Sequence, residues 1–186
     1  HEDFKFPEPT VGKNDYVTCE EAIGDLPSLQ TDEGDIIYGE EIQDYLYPIQ
    51  NDYQKRMRAN SEKVRNHIGS IPIEKTKFMI SLVPEGKNYK ALPEEYQGIY
   101  KYHEALTRYH SKKPSNTINT GHRSHFHYKW NRIPTVRESA RLQSFPDDFI
   151  FYGNKSEQYR QVGNAVPPIL GQVVADALLP YLKDGE

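Results

Sequence analysis

The chain has 186 residues, one cysteine, a net charge of −4 and a mean hydropathy of −0.83. A single cysteine excludes an internal disulfide framework and fits a reducing compartment. The first 20 residues are polar and acidic, and no apolar run is long enough to predict a membrane span, so we expect neither a signal peptide nor a membrane partner.

Charge is distributed unevenly along the chain. Residues 1–54 carry 14 acidic and 2 basic side chains, residues 55–141 carry 7 acidic and 18 basic ones, and residues 142–186 carry 6 and 3. A basic middle of net +11 within an acidic chain is typical of a surface that binds nucleic acid. A solvated face with salt bridges explains the charge equally well, so both interpretations stay open.

Local signals predict short elements in the N-terminal third. Residues 1–15 are expected to form an extended connector. Thr18 and Glu21 make a capping box, which predicts a helix that ends between Gly24 and Pro27.

The middle of the chain gives weaker signals. A helix over about 51–67 is predicted, with an apolar side marked by Tyr53, Met57 and Val64. The run Phe78–Val83 predicts a strand among the proline, glycine and aromatic punctuation of residues 72–130.

Two capped helices are predicted near the C-terminus. Thr135 and Glu138 form a second capping box, which begins a helix that ends near Ser144. Residues 157–162 predict a short turn or helix that Gly163-Asn164 breaks. The Pro167-Pro168 pair begins the last helix, which continues to about Leu182. Its broad apolar face consists of Leu170, Val173, Val174, Ala177, Leu178, Tyr181 and Leu182.

Two segments carry a resemblance to a known family. Arg132–Asp147 reads RIPTVRESARLQSFPD, and Gln158–Pro168 reads QYRQVGNAVPP. Together they resemble the last two sequence blocks of bacterial-type DNA (cytosine-5)-methyltransferases. The resemblance is strong over 132–168 and moderate over the rest, where target recognition domains vary with their DNA sites.

The resemblance implies a mixed α/β fold in three parts. Residues 1–30 would be a connector from the catalytic domain, and 31–131 an irregular α+β target recognition domain. Residues 132–186 would return to the catalytic domain, where their helices complete a Rossmann-like fold that binds S-adenosylmethionine. The apolar face of the last helix would then pack on a sheet that these residues do not include. We therefore expect the chain to self-associate, to fold this helix back, or to need a partner.

The resemblance also implies roles for individual residues. Asn164, Ala165 and Val166 would contact the cofactor, and the small Gly163 would let backbone approach a ligand closely. The segment with Arg137, Glu138, Arg141, Gln143 and Gly163 would brace the recognition domain against the catalytic domain. From spacing alone, Glu138 and Arg141 could form an ion pair within their helix, although an ordinary charged helix would look the same.

Candidate DNA contacts lie just before the first of these blocks. They are Thr117, Asn119, Arg123, Lys129 and Arg132. His122, His125 and His127 could suggest a metal site, but no acidic or cysteine ligand lies near them in sequence. The alternation of Arg123, His127 and Lys129 therefore favours phosphate contact, and no metal is expected.

The family's nucleophile is a cysteine in a Pro-Cys context, and this sequence has only Cys19, in Val-Thr-Cys-Glu. Nearby acids would raise the pKa of its thiol, which predicts a structural cysteine, and no catalytic residue is assigned.

Three interpretations remain. The chain could be a fragment or subunit of a cytosine-5 methyltransferase, with double-stranded DNA and an N-terminal catalytic half as partners and the bacterial cytoplasm, at the nucleoid, as its location. It could be a stand-alone sequence-specific DNA-binding module without methylation activity. It could also use its basic region to bind proteins.

Overall fold

A computed structural model describes residues 4–12, 14–31, 33–97, 106–121 and 124–183. The helices in these ranges are α1 (Cys19–Ile23), α2 (Asp52–Arg58), α3 (Glu74–Ser81), α4 (Glu94–Gln97), α5 (Val136–Leu142), α6 (Lys155–Asn164) and α7 (Pro168–Lys183). The strands are β1 (Ile42–Gln43), β2 (Val64–Arg65), β3 (Thr107–Arg108) and β4 (His125–Phe126), and a single 3₁₀ turn covers Tyr89–Ala91.

The strands form two separate pairs of two residues each. β1 and β2 are antiparallel, with Ile42 opposite Arg65, whereas β3 and β4 are parallel, with Thr107 opposite His125. The described chain is therefore mixed α/β, as expected, but helices and irregular segments dominate it. The Rossmann-like and recognition-domain parts of the fold prediction remain predictions.

Three hydrophobic cores hold the chain together. The first core is Met79, Ile80, Val83, Leu92, Leu106 and Phe126. The second core is Val136, Ala140, Phe145, Phe151, Tyr159 and Val162, with Ile118 and Ala165 packed against it. The third core is Ala22, Ile23, Leu26 and Val64, with Tyr45, Tyr53, Tyr128 and Leu142 at its edge. Residues from all three predicted parts of the chain meet in this third core, so packing crosses both predicted boundaries.

Capping boxes begin three helices. The Thr18 hydroxyl of α1 accepts from the N–H of Glu21, whose carboxylate accepts from the N–H of Thr18, and Thr135 and Glu138 make the same pair at α5. These two boxes were predicted, and both are confirmed. A third one, formed by Asn154 with Glu157, begins α6 two residues before the predicted element.

Three predicted elements have to be corrected. Phe78–Val83 is not a strand, because most of it lies in α3, where Met79 and Ile80 are buried while Phe78 is exposed. A short apolar run fits either period, and here the helical one prevails. The helix predicted over 51–67 ends at Arg58, and Val64 lies on β2. Gly163-Asn164 does not break α6, which includes both residues and ends at the cap residue Ala165.

Helix α7 is exposed or half-buried along its length. No residue from Pro168 to Leu182 is buried, and Leu170, Val174 and Leu182 are 52%, 41% and 72% exposed. The structure therefore does not show the predicted fold-back onto the chain's own core. The ring of Phe4 lies 5.5 Å from that of Tyr181 and covers one position of the helix.

The exposed helix also bears on the membrane prediction. The helical stretch Lys155–Leu182 contains an 18-residue window of mean hydropathy 1.3, so by length and composition it could cross a bilayer. The expectation that no apolar run is long enough is wrong on that criterion. One such helix is a weak indication, because core helices of soluble proteins pass the same test.

Candidate functional site

Helix α5 carries the chain's densest set of buried charges. Every residue from Val136 to Arg141 is buried, including Arg137, Glu138 and Arg141. The predicted ion pair between Glu138 and Arg141 is not formed. Each of the two instead pairs with a residue outside the helix, so α5 is fixed to its surroundings through its charges.

Glu138 pairs with Arg132. Two guanidinium nitrogens of Arg132 donate to the two carboxylate oxygens of Glu138, each at 2.7 Å. Burial alone would raise the pKa of Glu138, but the positive charge and hydrogen bonds of Arg132 outweigh it and hold that pKa well below its ordinary value. Arg132 is 0% exposed. Its guanidinium is therefore engaged inside the chain, and the prediction that Arg132 contacts DNA stays a prediction.

Arg141 pairs with two acids that the sequence reading did not select. Its Nε and Nη2 donate to the two carboxylate oxygens of Asp147, both at 2.6 Å, and its Nη1 donates to Asp25 at 3.1 Å. Arg58 reaches the same Asp25 at 3.3 Å, and the hydroxyl of Tyr45 donates to Asp147. This arginine cluster joins α1, α2 and α5 to the segment that follows α5.

Arg137 is bound mainly to backbone. It donates to the carbonyls of Arg65, Pro146 and Phe149 at 3.0, 3.1 and 2.6 Å. Gln143, just past α5, donates to the carbonyls of Val162 at 2.8 Å and Ala165 at 3.4 Å. These bonds fix β2 and the end of α6 against α5, and the bracing role implied by the resemblance stays a prediction.

Two histidines that precede α5 in the sequence are buried, His125 and His127. Burial lowers the pKa of His127 to about 3, and its Nδ1 accepts from the backbone N–H groups of Lys129 and Trp130 at 3.0 and 3.2 Å. The ring of His127 is buried and its Nδ1 is occupied, so it is not presented to solvent, and its predicted phosphate contact stays a prediction. His125 is also buried, stacked on Tyr109 at 5.3 Å.

Sequence reasoning overlooked a third histidine. His67 is fully buried, and its ring nitrogens bond to the Thr135 hydroxyl at 2.9 Å and the Pro27 carbonyl at 2.7 Å. Within the described ranges, which leave out His122, no group of histidine, cysteine and acidic residues could hold a metal ion.

The remaining DNA candidates differ in accessibility. Thr117 and Lys129 are exposed, and the Lys129 ammonium lies 4.5 Å from the centre of the Trp130 ring. Asn119 is half-buried, with its side-chain oxygen accepting from the N–H of Gly121 at 3.0 Å. Arg123 lies outside the described residues.

The proposed cofactor residues lie where α6 ends and α7 begins. Asn164 and Val166 are exposed, Ala165 is half-buried, and no described residue hydrogen-bonds to the Asn164 side chain. Beside Asn164 is an open groove of about 490 Å³. It is lined by Tyr152, Glu157, Arg160, Gln161 and Asn164.

Cys19 is buried at the start of α1. Burial raises the pKa of its thiol to about 12, and the negative charge of Glu85 adds to the effect. The predicted direction is confirmed, although burial is the main cause and Glu85 is not among the acids named from the sequence. A thiol in this state is not a nucleophile near neutral pH.

The chain is similar to known proteins of one family. The family model described as C-5 cytosine-specific DNA methylase matches residues 1–179. The type II methyltransferase M1.HphI of Haemophilus parahaemolyticus is 38% identical over 174 residues, which cover 94% of this chain and 39% of that protein. The type II methyltransferase M.DdeI of Desulfomicrobium norvegicum is 32% identical over 197 residues, which cover 96% and 46%.

A solved structure agrees in fold. A prophage-encoded protein of E. coli, described as a DNA modification methyltransferase, superposes with a TM-score of 0.68 at 19% identity, covering 91% of this chain and 48% of that one. The chain thus spans less than half the length of these relatives.

Proposed function

Because the chain belongs to the C-5 cytosine-specific DNA methylase family, we propose that it supplies target recognition and one wall of the cofactor pocket for methylation of cytosine C5 in a specific DNA sequence. It would do so as part of a DNA cytosine-5 methyltransferase whose catalytic half lies elsewhere, in the same polypeptide or in a separate subunit. The family uses S-adenosylmethionine as methyl donor and acts on DNA.

The exposed apolar face of α7 is the observation that carries this proposal. Leu170, Val174, Leu178 and Leu182 are all exposed on a helix of 16 residues. At roughly 25 cal/mol per Å² of apolar surface, leaving several such side chains in water costs several kcal/mol. A domain that packs on this face would remove that cost. The catalytic half of the family's enzymes, whose sheet the resemblance places against this helix, is the domain that we propose.

The buried charges support a bracing role for α5. Arg132 with Glu138, and Arg141 with Asp25 and Asp147, hold α5 against α1 and α2 at fixed geometry. A DNA-reading surface needs such a rigid support, because bases are distinguished by hydrogen bonds whose geometry is fixed to a few tenths of an ångström. Lys129 and Thr117, exposed at the surface, are the proposed contacts to phosphate or bases.

The residues at the α6–α7 junction fit one edge of an S-adenosylmethionine site. Asn164 presents an exposed amide, which can donate to a carboxylate, beside an open groove. Together with the backbone near Ala165 and Val166 it could supply a few hydrogen bonds, each about 0.5–1.5 kcal/mol. That is too little to bind the cofactor against the entropy lost on association, so we expect binding only with the catalytic half present.

No residue of this chain is assigned to the chemical step. The family reaction needs a cysteine thiolate, and the thiol of Cys19 is buried with a raised pKa. A stand-alone DNA-binding module without methylation activity remains the alternative, and it differs in predicting no catalytic partner.

Transfer of a tritiated methyl group from S-adenosylmethionine to DNA tests the proposal. We expect no transfer by the chain alone, transfer after addition of the catalytic half, and unchanged transfer with Cys19→Ser. Asn164→Ala should weaken cofactor binding more than DNA binding, while the exposed Asn60→Ala serves as control. Transfer by the chain alone that Cys19→Ser abolishes would overturn the proposal. DNA binding by the chain, together with the failure of any catalytic half to restore transfer, would favour the alternative.

DNA binding itself has a separate test. Lys129→Glu should weaken binding to all sequences and reduce its salt dependence, whereas Lys75→Glu, an exposed charge reversal on α3, should have a smaller effect. Equal affinity of wild type and Lys129→Glu at low salt would remove Lys129 from the DNA surface.

A further inference from the structure

Helix α6 touches the backbone of the segment 118–121 at a single glycine. A Cβ built on Gly163 would lie 2.7 Å from the carbonyl carbon of Asn119 and from the nitrogen of Thr120, and 2.9 Å from the carbonyl oxygen of Asn119. All three are backbone atoms, which cannot rotate away as the end of a side chain can. Any residue other than glycine at this position must therefore displace either the segment or the helix.

The same segment is anchored on both sides of this contact. Ile118 packs against the second core, to which α6 contributes Tyr159 and Val162. Past the contact, the Asn119 side chain accepts from the N–H of Gly121 at 3.0 Å and closes a tight turn. The segment is thus seated on α6 by its backbone at 119–120 and by one apolar side chain.

Helix α6 is itself held in place at this end. Gln143 donates to the carbonyls of Val162 and Ala165, on either side of Gly163 and Asn164. Gly163 therefore lies at a point that α5 fixes. A glycine in a helix is less favourable than alanine, so the local preference of α6 does not explain this residue, whereas the close approach of the 119–120 backbone does.

We propose that Gly163 is a positioning residue for DNA recognition, because its missing side chain lets α6 seat the segment 118–121 and so sets where Thr117 and Asn119 meet DNA. This rests on the proposed function, which takes that segment as a DNA contact. Helix α6 would then support the DNA-reading segment at Gly163 and present the next residue, Asn164, to the cofactor. Gly163 itself touches neither DNA nor cofactor.

The chain contains a matched control. Gly171 is also a helical glycine, in α7, and a Cβ built there meets nothing within 4 Å. Gly163→Ala and Gly171→Ala make the same chemical change and the same gain in helix preference. Only the first creates a steric conflict, so the difference between them isolates the contact with the segment.

The experiment compares both variants with the wild-type 186-residue chain. Amide hydrogen exchange is measured at 118–121 and across the second core, and affinity for a mixed-sequence DNA duplex is measured by fluorescence anisotropy at several salt concentrations. For Gly163→Ala we expect faster exchange confined to 118–121, an affinity loss of roughly five- to tenfold and a shallower salt dependence. Gly171→Ala should match the wild type in all three.

Several results would overturn the proposal. Unchanged exchange and affinity in Gly163→Ala would show that the contact does not constrain the segment. Faster exchange throughout the second core, with a lower melting temperature, would show a merely structural role. Faster exchange at 118–121 with wild-type affinity would remove the link to DNA while leaving the proposed function intact. A wild-type chain that binds no DNA would refute the proposed function, and the positioning role with it.

Should Gly163→Ala not fold, Ile118→Val loosens the same segment from its other side by removing one methylene from its contact with the second core. We then expect the same changes at a smaller scale, roughly two- to threefold in affinity. Wild-type exchange and affinity in this variant would likewise overturn the proposal.

Discussion

Helix α5 is buried although it is rich in charged residues, whereas helix α7 is exposed although it is mostly apolar. Helix α5 has seven residues, three of them charged, and from Val136 to Arg141 it is buried. Helix α7 has 16 residues and is mostly apolar, yet no residue from Pro168 to Leu182 is buried. The difference follows from where their partners lie. Acids that neutralise α5 are within this chain, whereas the described residues leave Leu170, Val174 and Leu182 of α7 exposed.

This comparison shows how hydropathy misleads when a helix belongs to an interface. The charges of Arg137, Glu138 and Arg141 are tolerated in the interior because each is paired or bound to carbonyl groups. The apolar residues of α7 are exposed, and an exposed apolar patch of this kind marks a surface that packs on a partner. Substitutions of either the buried groups or the exposed apolar residues test this difference.

Removing the charge of Arg141 should give the largest effect. Arg141→Met leaves Asp25 and Asp147 buried beside fewer positive charges, which costs about 3–5 kcal/mol in the free energy of unfolding. Arg160→Met removes an exposed arginine of α6 and should change it by less than about 0.5 kcal/mol. Urea denaturation of the two variants and the wild type measures the difference. Equal midpoints would mean that the buried cluster contributes nothing to stability.

Acid should destabilise the chain through its buried histidines. Burial lowers the pKa of His127 to about 3, so between about pH 6.5 and 3 the unfolded state binds a proton that the folded state does not. Stability is therefore lost as the pH falls through this window, by up to about 1.4 kcal/mol per pH unit. His127→Gln should be less stable at pH 7 but show a flatter dependence between pH 6.5 and 5, measured by urea denaturation. An identical slope in the variant would place the effect elsewhere.

The exposed face of α7 should govern self-association. Replacing Val174 and Leu178 with glutamine reduces the apolar surface available for contact, so we expect self-association of the isolated chain to weaken by about tenfold or more, equivalent to about 1.4 kcal/mol. Sedimentation velocity measures this, and the midpoint of urea denaturation should barely move because neither residue is buried. A large loss of stability would show that α7 packs on its own chain.

Cys19 should give the smallest effect. Cys19→Ala removes a buried sulfur and should cost about 1 kcal/mol in the free energy of unfolding, with DNA affinity unchanged. Chemical denaturation and anisotropy on the same preparations test both parts. A loss of DNA affinity without a loss of stability would give Cys19 a functional role that its burial does not indicate.

Local signals in the sequence predicted local structure well. The capping boxes at Thr18 and Thr135 involve residues three apart, so they could be recognised without knowledge of the fold. The start of α7 at Pro168 was predicted for the same reason. The family was recognisable from two segments whose residues occur in a specific order.

Contacts between distant segments were not predictable. Asp25 and Arg141 lie 116 residues apart, and nothing near Asp25 marks it as the partner of an arginine. The basic middle segment and the resemblance predict Arg132 as a DNA contact, and only the fold reveals that Glu138 binds it. Some of the basic charge counted from the sequence is therefore internal. Its buried arginines are Arg108, Arg132, Arg137 and Arg141.

The span of the arginine cluster also bears on how the protein is made. Asp25 cannot form its ion pair until Arg141, which follows it by 116 residues, has been synthesised. At roughly 5–20 residues per second, a ribosome takes about 6 to 23 seconds to synthesise that interval. During this time Asp25 has been synthesised but its partner Arg141 has not, and the third core lacks Leu142 of α5. We therefore expect the segment around Asp25 to acquire its stable structure only after α5 leaves the ribosome, which prolongs chaperone contact with that segment of the nascent chain.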